Sequence, residues 1–111
     1  MLKKENRLIL DRDFSRVFSK GKSFWGEFLG IRVARRDDDG LRFGFVISNK
    51  ISKKATVRNR IKRQLREAVR INLDQITKGY DVAVMVNSKI IGKKYQELEP
   101  ALIGLLKKSL G

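Results

Sequence analysis

A chain of 111 residues with 41% hydrophobic content is long enough for one modest core and too apolar to be wholly disordered. Its 26 Lys and Arg against 12 Asp and Glu give a formal charge of +14, which calls for a polyanionic partner or an anionic surface. Cysteine and histidine are both absent, which excludes a disulfide framework, a thiolate metal site, and the commonest general base and zinc ligand.

The N-terminal stretch from Met1 to Leu10 reads as a basic arm over its first nine residues. It is charged, with only a very short apolar run, so it is unlike a secretory signal. The longest apolar runs are far too short to cross a bilayer, so a soluble, cytoplasmic protein without a membrane partner is expected. Asp11-Arg12-Asp13 opens a short helix with Asp11 as its expected cap and Gly21 as its end. Phe14, Val17 and Phe18 share one face of it. Val17 suits a core, and the two phenylalanines could flank a groove where bases stack.

Residues 27 to 36 alternate, with Leu29, Ile31 and Val33 on one face and Phe28, Gly30, Arg32 and Ala34 on the other. Asp37-Asp38-Asp39-Gly40 reads as a turn rather than a hard-cation site, because consecutive turn residues point in different directions. Residues 41 to 48 alternate again: Leu41, Phe43, Phe45 and Ile47 against Arg42, Gly44, Val46 and Ser48. The two strands are expected to form an antiparallel hairpin.

A basic helix follows, with Thr56 as the expected cap and Val57, Ile61, Leu65 and Ala68 as its apolar stripe. Its remaining surface carries Arg60, Lys62, Arg63, Arg66 and Arg70, with Asn59 between Arg63 and Arg66 and Glu67 as the only acid. A solvated face would mix signs to gain i,i+4 pairs, so this face points to a polyanion. An interfacial membrane helix would show a bulkier apolar face with Trp or Phe, so nucleic acid is favoured.

Tyr80 to Asn87 is a further strand, with Tyr80, Val82, Val84 and Val86 on its apolar face. Residues 93 to 110 form a last helix with Pro100 near its start and Leu98, Leu102, Leu105 and Leu106 as its stripe. The order α-β-β-α-β-α describes one α+β domain over residues 1–111. The second face of its sheet is mixed, carrying Phe28, Arg32, Val46, Ser48, Ala83 and Met85. With the Phe14/Phe18 helix alongside, that face suits a shallow groove. No nucleophile–base pair, phosphate-binding glycine loop or small-molecule site is evident.

Arg58-Asn59-Arg60-Ile61-Lys62-Arg63 resembles the RNR signature of the bacterial ribonuclease P protein subunit. Asp13-Phe14-Ser15-Arg16-Val17-Phe18 with Gly21 is similar to that family's first helix. Arg42 to Lys50, Gly79-Tyr80-Asp81 and the leucine-rich C-terminal helix ending in Lys107-Lys108 also fit. The resemblance runs nearly end to end in one order, where a lone tripeptide would be weak.

The resemblance implies an α/β sandwich with a four-stranded, mostly antiparallel sheet. It also implies a left-handed βαβ crossover at the basic helix, where the general rule gives a right-handed one. The fourth strand is expected from a first strand that bends near Ser23 to Gly26. The implied function is to bind a catalytic RNA that removes the 5′ leader of precursor tRNA. Catalysis would belong to that RNA, and the magnesium ions would be bound mainly by it. No catalytic residue is expected in the protein.

By position, Arg58, Asn59, Arg60, Lys62, Arg63 and Arg66 correspond to contacts with the RNA subunit. The leader groove is expected to collect Phe14, Phe18, Phe28, Arg32, Ser48, Lys50 and Lys54. The sequence departs from the family pattern at Ile31, Asn49 and Asn87. A small ribosomal or general RNA-binding protein is the alternative reading, and a protein-only nuclease is disfavoured.

Overall fold

A computed structural model of the chain describes residues 2–110. In chain order the elements are α1 (Asp11–Lys20), β1 (Lys22–Trp25), β2 (Leu29–Arg35), β3 (Leu41–Val46), α2 (Ala55–Ile71), β4 (Tyr80–Val86) and α3 (Tyr95–Leu110). Single 3-10 turns lie at Lys4–Asn6, Leu73–Gln75 and Ser88–Ile90. The strand anticipated from a bend near Ser23 to Gly26 is β1. It pairs antiparallel with β2, and the Gly26 N–H donates to the Leu29 carbonyl at 2.8 Å to close that hairpin.

The sheet order is β1-β2-β4-β3, so the expected hairpin of the strands at 29–35 and 41–46 does not form. β4 lies between them, antiparallel to β2 and parallel to β3. Burial explains the arrangement. Val82, Ala83 and Val84 are all fully buried, so β4 is apolar on both faces and belongs at the centre of a sheet. α2 is the crossover that carries the chain from β3 to its parallel neighbour.

Alternation then sorts the side chains into two layers. Leu29, Ile31, Leu41, Phe43, Val82 and Val84 face the main core. There α2 contributes Ile61, Leu65, Ala68 and Val69, and α3 contributes Leu98, Leu102, Ile103 and Leu106. On the other face Leu8, Val17, Ala34 and Ala83 form a smaller cluster beneath α1, with Phe14 packed on it. Among the described residues, no helix is long and apolar enough to cross a membrane.

Three local expectations are corrected. Asp11 is the first residue of α1 and Leu10 holds the cap position; Asp11 and Asp13 instead place negative charge in the first turn, where the helix dipole favours it. Thr56 lies inside α2, which begins at Ala55. The Ser52 hydroxyl accepts the Lys54 N–H at 3.2 Å and tightens the approach, so the helix starts earlier. The N-terminal arm is docked: Leu2 and Leu8 are buried, Arg7 bridges Phe43 in parallel, and the Leu8 N–H donates to the Phe43 carbonyl at 2.9 Å. It thereby covers part of the open edge of β3.

Candidate nucleic-acid interface

The register lays out the face under α1 in rows across the sheet. One row is Ala34, Asp81 and Arg42; the next is Ser23, Arg32, Ala83 and Gly44; the third is Trp25, Gly30, Met85 and Val46. α1 covers the first two. Val17 is fully buried against Ala34 and Ala83, and the Phe14 ring lies on Gly44. A Cβ at Gly44 would stand 2.3 Å from that ring, so only glycine admits it. The third row stays open, with Trp25 51% and Val46 38% exposed and Met85 half-buried.

What holds α1 short of that row is a set of arginines. Asp81 is fully buried and accepts from Arg16 at 2.7 Å, Arg36 at 2.9 Å and Arg42 at 2.8 Å. Burial pushes its carboxyl up, but the guanidiniums of Arg42, Arg16 and Arg36 together outweigh burial and hold it below the usual carboxylate range. Arg42 also donates to Asp13 of α1 at 3.2 Å. At the other end of the helix, Arg32 Nε donates to the carbonyls of Val17 and Phe18 at 3.2 and 3.0 Å, and its Nη1 to Ser23 Oγ at 2.7 Å. Those carbonyls belong to the last turn of α1, where helix acceptors run short of partners; the Val17 carbonyl also accepts the Gly21 N–H at 2.9 Å.

The residues expected in the groove therefore divide. Phe18 is 40% exposed at the end of α1, where its carbonyl accepts from Arg32, while Phe14 is half-buried and packs inward. Arg32 borders the row but is tied to the end of α1. Ser48, Lys50 and Lys54 are exposed in the loop that leaves β3 beside Val46, where Ser48 Oγ accepts the Lys50 N–H at 3.0 Å. Phe28 is not in the groove. It is buried in the main core with the Lys93 ammonium 5.3 Å from its ring centroid, because the Gly26–Glu27 turn breaks the alternation that β2 begins at Leu29.

Two departures from the family pattern are also placed. Ile31 is fully buried on the core face and cannot reach a ligand in the groove. Asn87 donates through Nδ2 to the Glu27 carbonyl at 3.1 Å and accepts the Lys89 N–H at 2.9 Å, so it secures the turn after β4. Trp25 was not anticipated. Its signal is the glycine at position 30, near the start of β2, which in a sheet marks a close approach by another group.

The second surface is on α2. Asn59, Lys62, Arg63, Arg66 and Glu67 line a concavity of about 360 Å³ that Leu2 closes. Glu67 is paired with Arg70, whose hydrogen bond and charge draw its carboxyl below the usual range. Arg66 places its guanidinium 5.9 Å from the Phe45 ring centroid at the β3 edge. Arg58 and Arg60 lie outside the concavity. Arg60 is exposed, whereas Arg58 turns back and donates to the Ser52 carbonyl at 2.7 Å. Three aspartates are paired with arginine, Asp13, Asp38 and Asp81, and the Arg36 hydrogen bond and charge lower the Asp38 carboxyl to about 2.

Comparison with known proteins supplies the family. The model of the family described as ribonuclease P matches residues 2–110. A ribonuclease P protein component of Clostridium botulinum (strain Langeland) is 35% identical over 107 residues, covering 96% of this chain and 96% of the relative. One from Pseudanabaena is 37% identical over 110 residues, covering 98% and 95%. Among solved structures, the RNase P protein of Thermotoga maritima superposes with a TM-score of 0.85 at 35% identity, covering 92% of this chain and 96% of that one. The RNase P protein of Staphylococcus aureus gives 0.86 at 25% identity, covering 96% of each chain.

Proposed function

The chain belongs to the ribonuclease P protein family, and from that premise we propose how its two surfaces divide the work of tRNA 5′ processing. The protein is a component of an endoribonuclease, and the match over residues 2–110 carries that reading. In the proposed division, the α2 concavity and Arg60 dock on a catalytic RNA subunit, and the open row of the sheet receives the single-stranded 5′ leader of precursor tRNA.

The chemistry of the two surfaces supports the division. Cationic side chains on α2 release counterions from phosphates, a contribution insensitive to sequence. Asn59 can both donate and accept there, so it fixes one RNA group or orients an arginine. The open row offers aromatic and apolar surface bordered by Ser48, Lys50 and Lys54, which suits stacking bases and a backbone passing alongside. The reaction itself is assigned to the RNA, with magnesium ions that activate water and stabilise the leaving oxygen. The two acids beside the groove are already engaged, Asp81 by three guanidiniums and Asp13 by Arg42.

Reconstitution tests the proposal. The protein is mixed with a bacterial ribonuclease P RNA at low magnesium, and cleavage of precursor tRNA is measured with and without a leader of several nucleotides. The expected outcome is a gain in rate and affinity that depends on the leader. No gain would sink the proposal and leave a general RNA-binding role; cleavage by the protein without RNA would move the chemistry into the protein.

A further inference from the structure

We propose that Trp25 is a stacking platform for leader nucleotides far from the cleavage site, at the β1 end of the open row. This rests on the assignment of that row to the leader. Trp25 is half exposed at an edge strand, where a large apolar ring would ordinarily be buried or replaced. Its position is built. Gly30 is its cross-strand partner, and a Cβ on Gly30 would stand 2.4 Å from the indole. The missing side chain therefore lets the ring lie on β2 with its other face open to solvent.

The register then gives a direction. Trp25, Gly30, Met85 and Val46 form one line across four strands, about 14 Å from β1 to β3 at the usual strand spacing. At the Val46 end the chain passes into the exposed Ser48, Lys50 and Lys54 and then into α2, the helix assigned above to the catalytic RNA. A leader leaving the cleavage site enters at that lysine-rich end. It passes Met85, with Arg32 of the neighbouring covered row at its side, and reaches Trp25 last. The occupant is thus single-stranded RNA: the chain carries +14, and a π face accepts any base.

Trp25 is the only tryptophan in the chain, so its emission reports on the platform directly. Holoenzyme reconstituted with wild type, Trp25→Ala, Trp25→Phe and Gly30→Val is titrated with precursor tRNAs whose leaders lengthen stepwise. Wild type should gain affinity up to the length that spans the row. Trp25→Ala should lose about tenfold on long leaders and nothing on the shortest, and Trp25→Phe should recover most of the loss. Gly30→Val, which keeps the tryptophan but displaces it, should match Trp25→Ala. In the protein alone, a saturating single-stranded oligonucleotide should quench the indole emission. Full leader-length dependence in both Trp25→Ala and Gly30→Val, or unaltered emission at saturation, overturns the proposal while the function stands. Absence of leader dependence in wild type overturns the function and this proposal with it.

Discussion

At the scale of single residues, Asp81 decides where α1 sits. One buried carboxylate holds three guanidiniums, each with contact to solvent, and two of them reach α1 directly or through Asp13. Removing the charge leaves those cations facing an amide. Asp81→Asn should cost about 2–4 kcal/mol, less than the 3–5 of a fully buried pair because the arginines stay partly hydrated. Denaturant unfolding at neutral pH measures it. The pH dependence has a definite sign. The folded carboxyl titrates below the unfolded one, so its contribution is present above the unfolded value of about 4 and is lost as pH falls through the lowered folded value. Wild type should lose stability across that acid window, and Asp81→Asn should lose less of it. Gly44 is the second such residue. Gly44→Ala sets a methyl against the Phe14 ring and should cost about 1–3 kcal/mol by overpacking, seen as a lower unfolding midpoint with an unchanged denaturant slope.

At the scale of elements, Arg58 belongs to the loop as much as to the helix. Its bond to the Ser52 carbonyl ties the Ser48–Lys54 segment to the first turn of α2. Arg58→Ala should speed amide hydrogen exchange from Ser48 to Lys54 and weaken leader affinity. Arg63→Ala should leave that exchange unaltered, and equal exchange in the two variants would refute the tie. The same scale shows what the sequence could disclose. Alternation and helical spacing located the main core face of the sheet and the helix stripes that cover it, with Ile61, Leu65 and Ala68 where periodicity put them, because those signals are local; the smaller cluster at Ala34 and Ala83 lies on the face that reads as a groove. Strand neighbours are not local. Nothing between Leu29 and Val46 records that β4 will enter between the two strands; that follows from the long α2 crossover and the apolar faces of β4. Phe28 was misplaced for a related reason, since alternation cannot be carried backward through the turn at Gly26. Trp25 became visible only once the register set it over Gly30. The cationic residues of α2 were legible as a group, and the inward turn of Arg58 was not.

At the scale of the whole molecule, a charge of +14 poses the question of whether affinity for RNA comes from the general field or from placed contacts. The structure favours placed contacts. Much of the arginine content is internal: Arg16, Arg36 and Arg42 serve Asp81, Arg32 serves the end of α1, and Arg58 serves the loop. Exposed cations also lie elsewhere, at Lys20, Lys78, Lys89 and Lys107, so placed contacts mean that those of the α2 concavity and the groove margin carry the binding. If that is so, log affinity for the catalytic RNA plotted against log salt should become shallower by about one unit for each of Arg63→Ala and Arg66→Ala. Lys108→Ala, on the exposed C-terminal turn of α3, removes the same formal charge and should leave the slope unchanged. Equal slope changes in all three variants would instead mean that the net charge acts as a diffuse field. The α2 concavity would then lose its claim to be the docking edge, whatever its shape.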